Sequence, residues 1–147
     1  MHWPAHYPSE CPPSDAKFAE GSFFRLTQRQ APKDKDFYSQ YAIEKKRVEL
    51  NKAPQMRGAM DTCLARGLSV FRSVEECVKA RKKVASLRRK KGVVRVDASP
   101  NQDGLVKNTP GRSSEYHYTW WVPENVDLVS KCVCHKEELE KQEESYA

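Results

Sequence analysis

The chain lacks the glycine-rich loops that hold phosphate groups in many nucleotide-dependent enzymes. Its six glycines are scattered over 147 residues, and they form neither a Walker pattern nor a dinucleotide-binding pattern. The sequence also contains no helix-turn-helix, zinc-finger or RNA-recognition signature. These absences disfavour the common nucleotide-dependent enzymes and leave any nucleic-acid binding without a motif that would make it sequence-specific.

Long hydrophobic runs are missing as well. No segment approaches the roughly 20 apolar residues that span a bilayer, and residues 1–4 show neither the positive region nor the apolar region of a secretory signal. We therefore expect an intracellular, cytoplasmic protein with no membrane partner. The five cysteines are odd in number and scattered, so in a reducing cytosol we expect them to be free thiols.

The composition favours one folded domain. The chain is 38% hydrophobic and 10% aromatic, which is enough for a core, and 147 residues is a typical length for a single domain. The charged fraction of 31% with a net charge of +6 favours acidic partners such as nucleic acid. We predict a proline-rich N-terminal arm at 1–20, one domain at 21–136 and an acidic, flexible tail at 137–147.

Residue patterns predict short strands interspersed with helices. The predicted strands are 21–27, 68–71, 93–96, 105–108 and 116–122. The predicted helices are 37–50 with Asp36 as the N-cap, 56–66, 74–91 and a last helix that reaches about 141. This order predicts an α+β fold, a single domain with a small mixed or mainly antiparallel sheet packed by two to four helices.

The helix predicted at 74–91 is strongly basic and carries eight of the 26 lysines and arginines. Ser73 and Glu76 form an S-x-x-E capping box before it, and Gly92 is expected to end it in a left-handed conformation. Such a basic face would gain free energy on a phosphate backbone by counterion release, although a solvated helix face is the alternative interpretation. The candidate binding residues are Lys79, Arg81, Lys82, Lys83, Arg88, Arg89, Lys90 and Lys91.

A small group of soft ligands lies near the C-terminus. Cys132, Cys134 and His135 fall within four residues, but zinc needs four ligands and the usual C-x2-C spacing is absent. The residues that could complete a site are Cys11, Cys63, Cys77 and His117. We therefore predict no metal site and keep the group as a weak candidate, with packing as the alternative.

The aromatic strand at 116–122 has two faces. Alternation places Tyr116, Tyr118 and Trp120 on one face. His117, Thr119 and Trp121 lie on the other. Exposed aromatics could stack on nucleic-acid bases, whereas burial in the core is the simpler explanation for two adjacent tryptophans. We predict that one face is core and leave the other open.

Four short motifs give the chain a resemblance to known sequences. They are C-P-P at 11–13, G-S-F-F-R at 21–25, G-L-S-V-F at 67–71 and H-Y-T-W-W-V-P at 117–123. In this order they resemble a group of small bacterial proteins of unassigned function. The resemblance implies a small protein in a bacterial or phage setting and carries no mechanism.

A fainter resemblance is to ADP-ribosyltransferase-type folds. The matching positions are Arg25 at the end of an aromatic stretch and Ser69 in a Gly-x-Ser segment before a helix. That resemblance implies an NAD ligand, with Arg25 on its pyrophosphate and an acid, Glu115 or Glu124, on the ribose hydroxyl. Two hypotheses follow: a binding protein for nucleic acid or a partner protein, needing no cofactor, and an ADP-ribosyltransferase-like enzyme.

Overall fold

The fold combines two antiparallel sheets with three α-helices in the described part of the chain. The structure is a computed structural model that describes residues 1–53, 61–111 and 114–135. The strands are β1 (Lys17–Phe18), β2 (Gly21–Thr27), β3 (Leu68–Val70), β4 (Gly92–Ala98), β5 (Leu105–Asn108), β6 (Tyr118–Trp121) and β7 (Cys132–Cys134). The α-helices are α1 (Gln40–Glu49), α2 (Val74–Lys83) and α3 (Leu128–Lys131). The predicted α+β class is confirmed.

The two sheets meet where β2 passes the end of β3. One sheet has the strand order β1-β5-β6-β3 and the other has the order β2-β4-β7. An isolated antiparallel bridge connects Phe24 of β2 with Phe71, the residue after β3, through N–O distances of 2.7 and 2.8 Å. The bridge brings Arg25, which follows Phe24, close to the backbone of Ser69.

The main core lies between the sheets. Phe23 and Val94 come from the three-stranded sheet, and Val70 and Trp120 come from the four-stranded sheet. The rings of Phe23 and Trp120 have centroids 5.1 Å apart. Because side chains alternate along a strand, Arg25 shares the inward face of β2 with Phe23, so a cation is placed at the margin of this core.

Helix α2 covers the outer face of the three-stranded sheet. Val74, Cys77 and Val78 are buried against Leu26 of β2 and Val93 of β4. Each fully buried aliphatic side chain of this kind contributes about 1.5–3 kcal/mol relative to exposure. These three side chains belong to the core face of α2.

The prediction that this helix continues to 91 is wrong. Val84 is extended at φ −111° and ψ 116°, and a short 3-10 helix follows at Ala85–Leu87. Gly92 is the first residue of β4 and pairs with Thr27 rather than ending a helix. A Cβ atom at Gly92 would lie 2.5 Å from the carbonyl oxygen of Arg29. Pairing with β2 thus overrides the local helix propensity of 84–91.

The N-caps agree with prediction at one helix and differ at another. Ser73 Oγ accepts from the Glu76 amide at 3.2 Å, as predicted for α2. The Glu76 carboxylate instead accepts from the Ser114 hydroxyl at 2.8 Å. Helix α1 begins after Ser39, whose hydroxyl accepts from the Ala42 amide at 3.1 Å. The predicted cap, Asp36, belongs to a separate 3-10 helix, Asp34–Phe37.

Two other predicted helices are shorter than expected. The segment 56–66 lies partly outside the described residues, and its described end forms a 3-10 helix, Leu64–Arg66. The last helix was expected to reach 141, but α3 ends at Lys131 and the chain continues as β7. Cys132 and Cys134 pair with Val96 and Val94. The edge of β4 offers hydrogen bonds that a local pattern does not reveal.

The N-terminal arm is attached to the domain by a covalent bond. Cys11 and Cys63 form a disulfide, so the expectation of free thiols is wrong for this pair. The free cysteines are Cys77, Cys132 and Cys134. The His6 ring also stacks on Tyr41, with centroids 4.2 Å apart. The predicted domain boundaries stay predictions, and the tail at 137–147 lies outside the described residues.

Within the described ranges, none of the helices has the length and apolar character needed to cross a bilayer.

Candidate functional site

A cleft of about 510 Å³ lies beside the bridge that joins the two sheets. We call it the cationic cleft. Arg25 comes to it from β2, Ser69 from β3, Lys90 from the segment before β4 and His117 from the residue before β6. Its size falls in the range of pockets that hold a nucleotide-sized ligand.

Arg25 is fixed in the cleft by backbone carbonyl groups. Its guanidinium donates to the carbonyl of Asp36 at 2.9 Å, of Ser69 at 2.9 Å and of Tyr38 at 3.4 Å. Burial lowers the pKa of Arg25 to about 10, and the charge of Asp36 opposes that shift. Arg25 therefore stays charged at neutral pH, and its carbonyl partners orient the charge without cancelling it.

Lys90 adds a second cation to the same cleft. Its side chain is half-buried, and burial together with the like charge of Arg25 lowers its pKa. The carboxylate of Asp36 opposes this shift, but that carboxylate already accepts from the amides of Gln28 and Lys33 at 2.8 and 2.9 Å. No carboxylate side chain belongs to the described lining of the cleft. The described lining of the cleft therefore carries two cations and no acidic side chain.

His117 presents a neutral imidazole. Its Nδ1 lies 2.8 Å from the carbonyl oxygen of Thr109 and 3.0 Å from the hydroxyl of the same residue. A carbonyl only accepts, so Nδ1 carries the hydrogen and Nε2 keeps a lone pair. Burial lowers the pKa of His117, the Thr109 hydrogen bond opposes this, and the charge of Arg25 lowers it further.

Close backbone packing shapes the wall of the cleft near this histidine. Gly67 lies so near Thr119 that a Cβ atom on Gly67 would overlap the Thr119 methyl group. The hydroxyls of Thr109 and Thr119 are 2.7 Å apart. Glycine at 67 therefore keeps Thr119 and the Thr109–His117 pair in position.

The opening of the cleft is apolar and exposed. Tyr38, Ile43 and Leu64 line it, and they retain 36%, 44% and 57% of their accessible surface. Isolated exposed apolar residues are ordinary, but here three of them line the same cleft as two cations. A ligand with an anionic group and a flat apolar group would match both parts.

The candidate enzyme residues come together only in part. Arg25 and Ser69 line the same cleft. Glu115 and Glu124 are not among its described lining residues. Glu124 lies by the N-terminal arm, where its amide donates to the carbonyl of His2 at 2.9 Å. The structure therefore places two of the proposed residues together without the acid.

The eight basic candidates are divided between α2, a turn and the cleft. Lys79 is paired with Glu76 at 3.7 Å, and Arg88 donates to the carbonyl of Lys82 at 3.4 Å. Arg81 and Lys82 have interactions of their own. Lys83, Arg89 and Lys91 are exposed, and Lys90 alone of the eight lines the cleft.

The metal candidates do not form a ligand cluster. In residues 1–53, 61–111 and 114–135, no three His, Cys, Asp or Glu side chains are grouped so that they could hold a metal ion. Cys132 Sγ lies 3.2 Å from the carbonyl oxygen of Val129, and Cys134 is exposed. Cys11 and Cys63, which could have completed a site, are bonded to each other.

Sequence reasoning missed Tyr38, Thr109 and the role of His117. The strand alternation did place His117 and Thr119 on one face, which is the face that meets the cleft. Both tryptophans are buried, with Trp121 donating to the Cys63 carbonyl at 2.9 Å. Comparisons of the chain with known protein families, curated proteins and solved structures found no match.

Proposed function

We propose that this protein binds single-stranded nucleic acid, with one phosphate group held between Arg25 and Lys90. The observation that carries the proposal is the pair of like charges in one cleft whose described lining contains no carboxylate. Two half-buried cations repel each other, and a bound phosphate relieves that repulsion while accepting hydrogen bonds from both. Their shared surroundings thus favour an anion with several oxygen atoms.

The apolar opening favours a nucleotide over a simple phosphate ion. Tyr38 offers an aromatic surface beside the cations, and base stacking on such a ring contributes about 1–3 kcal/mol per base. A base must leave a duplex stack to reach this surface, so a single strand is the better ligand.

Cations outside the cleft extend the same surface. Residues Val84 to Lys90 contribute one wall, and Arg89 is exposed within that segment. A longer strand would place further phosphates there, releasing additional counterions. A bacterial or phage-infected cytoplasm supplies such strands, and an acidic partner protein would meet the same exposed cations.

Titration of labelled single-stranded RNA and DNA, followed by fluorescence anisotropy at several salt concentrations, tests the proposal. We expect Lys90→Gln to weaken binding about tenfold or more, as for loss of a hydrogen bond to a charged group. It should reduce the logarithmic salt slope by about 0.7, the value for one single-strand phosphate.

The matched control is Lys17→Gln, which removes an exposed lysine of β1 outside the cleft. Equal binding by the two variants, or no binding by the wild type at low salt, would refute the phosphate site. Polyglutamate serves as the competitor for an acidic protein surface. If it displaces RNA at equal charge concentration, a protein partner becomes the better proposal.

A second candidate is the ADP-ribosyltransferase-like enzyme, because Arg25 and Ser69 lie in one cleft. NAD would place its pyrophosphate on Arg25. Glycosyl transfer passes through a positively charged, oxocarbenium-like transition state, which Arg25 and Lys90 would disfavour without a nearby acid. Incubation with labelled NAD and bacterial lysate tests this candidate. Absence of both label transfer and NAD hydrolysis would remove it.

A further inference from the structure

We propose that the cationic cleft cleaves RNA without a metal ion, with Nε2 of His117 as the general base. The inference rests on the proposed function, since it requires a phosphate of a single strand between Arg25 and Lys90. It adds an activity, a substrate class with a 2′-hydroxyl group, and a catalytic residue.

The His117 ring is held in one tautomer. Thr109 holds Nδ1 through its carbonyl oxygen at 2.8 Å, which fixes the tautomer with a hydrogen on that nitrogen. The ring edge also packs against Phe71, with centroids 5.6 Å apart. Among the described residues Nε2 has no hydrogen-bond partner. An oriented, neutral imidazole with a free lone pair is what a general base requires.

The charge of the cleft has the sign that phosphoryl transfer requires. Attack on a phosphodiester gathers negative charge on the phosphoryl oxygens in the transition state. Arg25 and Lys90 stand in the same cleft as His117, so they would stabilise that charge. A glycosyl transition state gains positive charge instead. The cleft therefore favours phosphoryl transfer over the transfer of ADP-ribose.

The described lining of the cleft does not resemble a Mg²⁺ site. Mg²⁺ is usually held by carboxylates and waters together with substrate phosphates. The described lining of the cleft contains no carboxylate, but it contains two cations that can stabilise negative charge in place of a metal ion. The base and the charge stabilisation thus both come from side chains.

The step balances without an oxidant, reductant or co-reactant. Nε2 takes the proton of the 2′-hydroxyl group, and the 2′ oxygen forms a bond to the adjacent phosphorus. The bond between phosphorus and the 5′ oxygen breaks, and that oxygen leaves with a proton from water. The products are a 2′,3′-cyclic phosphate and a 5′-hydroxyl end, and His117 returns its proton to solvent.

The experiment compares a randomised-sequence RNA, the same RNA with 2′-O-methyl groups, and the matching DNA, each in the presence of EDTA. We expect the wild type to bind all three and to cleave only the unmodified RNA, leaving 2′,3′-cyclic phosphate ends. His117→Ala should bind 2′-O-methyl RNA as the wild type does and cleave unmodified RNA about 10²–10⁴-fold more slowly, the usual contribution of a general base.

The control variant is His2→Gln, which alters an exposed histidine in the N-terminal arm and should cleave at the wild-type rate. If the wild type binds 2′-O-methyl RNA but does not cleave unmodified RNA, this inference is overturned and the proposed function stands. If the wild type binds none of the three ligands, the inference and the proposed function are both overturned. Cleavage that EDTA abolishes, or that His117→Ala retains in full, also overturns the inference.

Discussion

Arg25 donates a hydrogen bond of 2.9 Å to the backbone carbonyl of Ser69, and this bond links the two sheets beside the cationic cleft. The same guanidinium reaches the carbonyls of Asp36 and Tyr38, so three chain segments converge on one side chain. Arg25 thereby has a structural role in addition to the binding role that we propose, and variants can separate the two.

Arg25→Lys keeps the charge but loses the planar fork that contacts three carbonyl groups. We expect the free energy of unfolding, measured with urea, to fall by about 1–3 kcal/mol, as for bonds that involve a charged group. The control Arg89→Lys, at an exposed position, should stay within about 0.5 kcal/mol of the wild type. Equal stability of the two variants would contradict the linking role of Arg25.

Gly67→Ala tests the close packing at the cleft wall. The added methyl group would overlap the Thr119 methyl group, and we expect a loss of about 1–3 kcal/mol in the free energy of unfolding, typical of overpacking. Gly111→Ala is the control, because a Cβ there meets nothing within 4 Å. Thermal or urea unfolding of both variants gives the comparison.

A double variant identifies the partner of that steric conflict. Thr119→Ser removes the methyl group and keeps the hydroxyl that lies 2.7 Å from Thr109 Oγ1. Gly67→Ala combined with Thr119→Ser should therefore recover much of the lost stability, which appears as a coupling free energy in the cycle. Strictly additive effects would show that Thr119 is not the obstacle.

Local signals predicted the elements whose determinants are close in sequence. The strand at 21–27 and the Ser73 cap depend on neighbouring residues, and both occur in the structure. The helix end before β4 and the strand β7 were mispredicted because the β-pairs that define them join distant residues: Gly92 pairs with Thr27, and Cys134 pairs with Val94. In both places strand pairing outweighs the local helix propensity.

The functional site is harder to predict from sequence than the strands and helices, because it also depends on distant residues. Arg25, Ser69, Lys90 and His117 are separated by dozens of residues, and only the joining of two sheets brings them into one cleft. A resemblance in sequence selected Arg25 and Ser69. No sequence pattern shows that Glu115 and Glu124 lie outside the described lining of the cleft. The position of Glu124 beside the N-terminal arm follows from tertiary packing alone.

The Cys11–Cys63 disulfide predicts a definite pattern of thiol labelling. In denatured protein that has not been reduced, iodoacetamide should label only three of the five cysteines, the free set Cys77, Cys132 and Cys134. Reduction should raise the count to five. Intact mass measures both. Disulfides are rare in a reducing cytosol. Five labelled cysteines in unreduced protein from cytosol would show that the bond does not form in that compartment.

Removal of the same disulfide should destabilise the protein. The bonded residues are 52 positions apart, and closing a loop of that length restricts the unfolded chain by about 4 kcal/mol. We expect the double variant Cys11→Ser with Cys63→Ser to lose a comparable free energy of unfolding. Cys134→Ser, at an exposed free cysteine, is the control and should remain close to the wild type.

His117 should make stability depend on pH below neutrality. Its pKa is lowered from 6.5 by burial, with the Thr109 bond opposing and the charge of Arg25 adding to the shift. The charged groups that face it in the cleft are Arg25 and Lys90, with no carboxylate on the described lining. His117 therefore binds a proton more readily in the unfolded chain than in the folded protein. The free energy of unfolding falls as the pH drops below 6.5 and through the lowered pKa of His117 in the folded protein.

Two variants determine how much of this pH dependence comes from His117 and how much from His6. Burial also lowers the pKa of His6, with the charge of Arg66 next in importance, so His6 contributes with the same sign. His117→Asn and His6→Asn should each flatten part of the decline in the free energy of unfolding between about pH 7 and pH 5, near the usual pKa of histidine. If His117→Asn leaves the decline unchanged while His6→Asn removes it, His117 is not held neutral by the cleft. Urea unfolding at matched ionic strength makes this comparison directly.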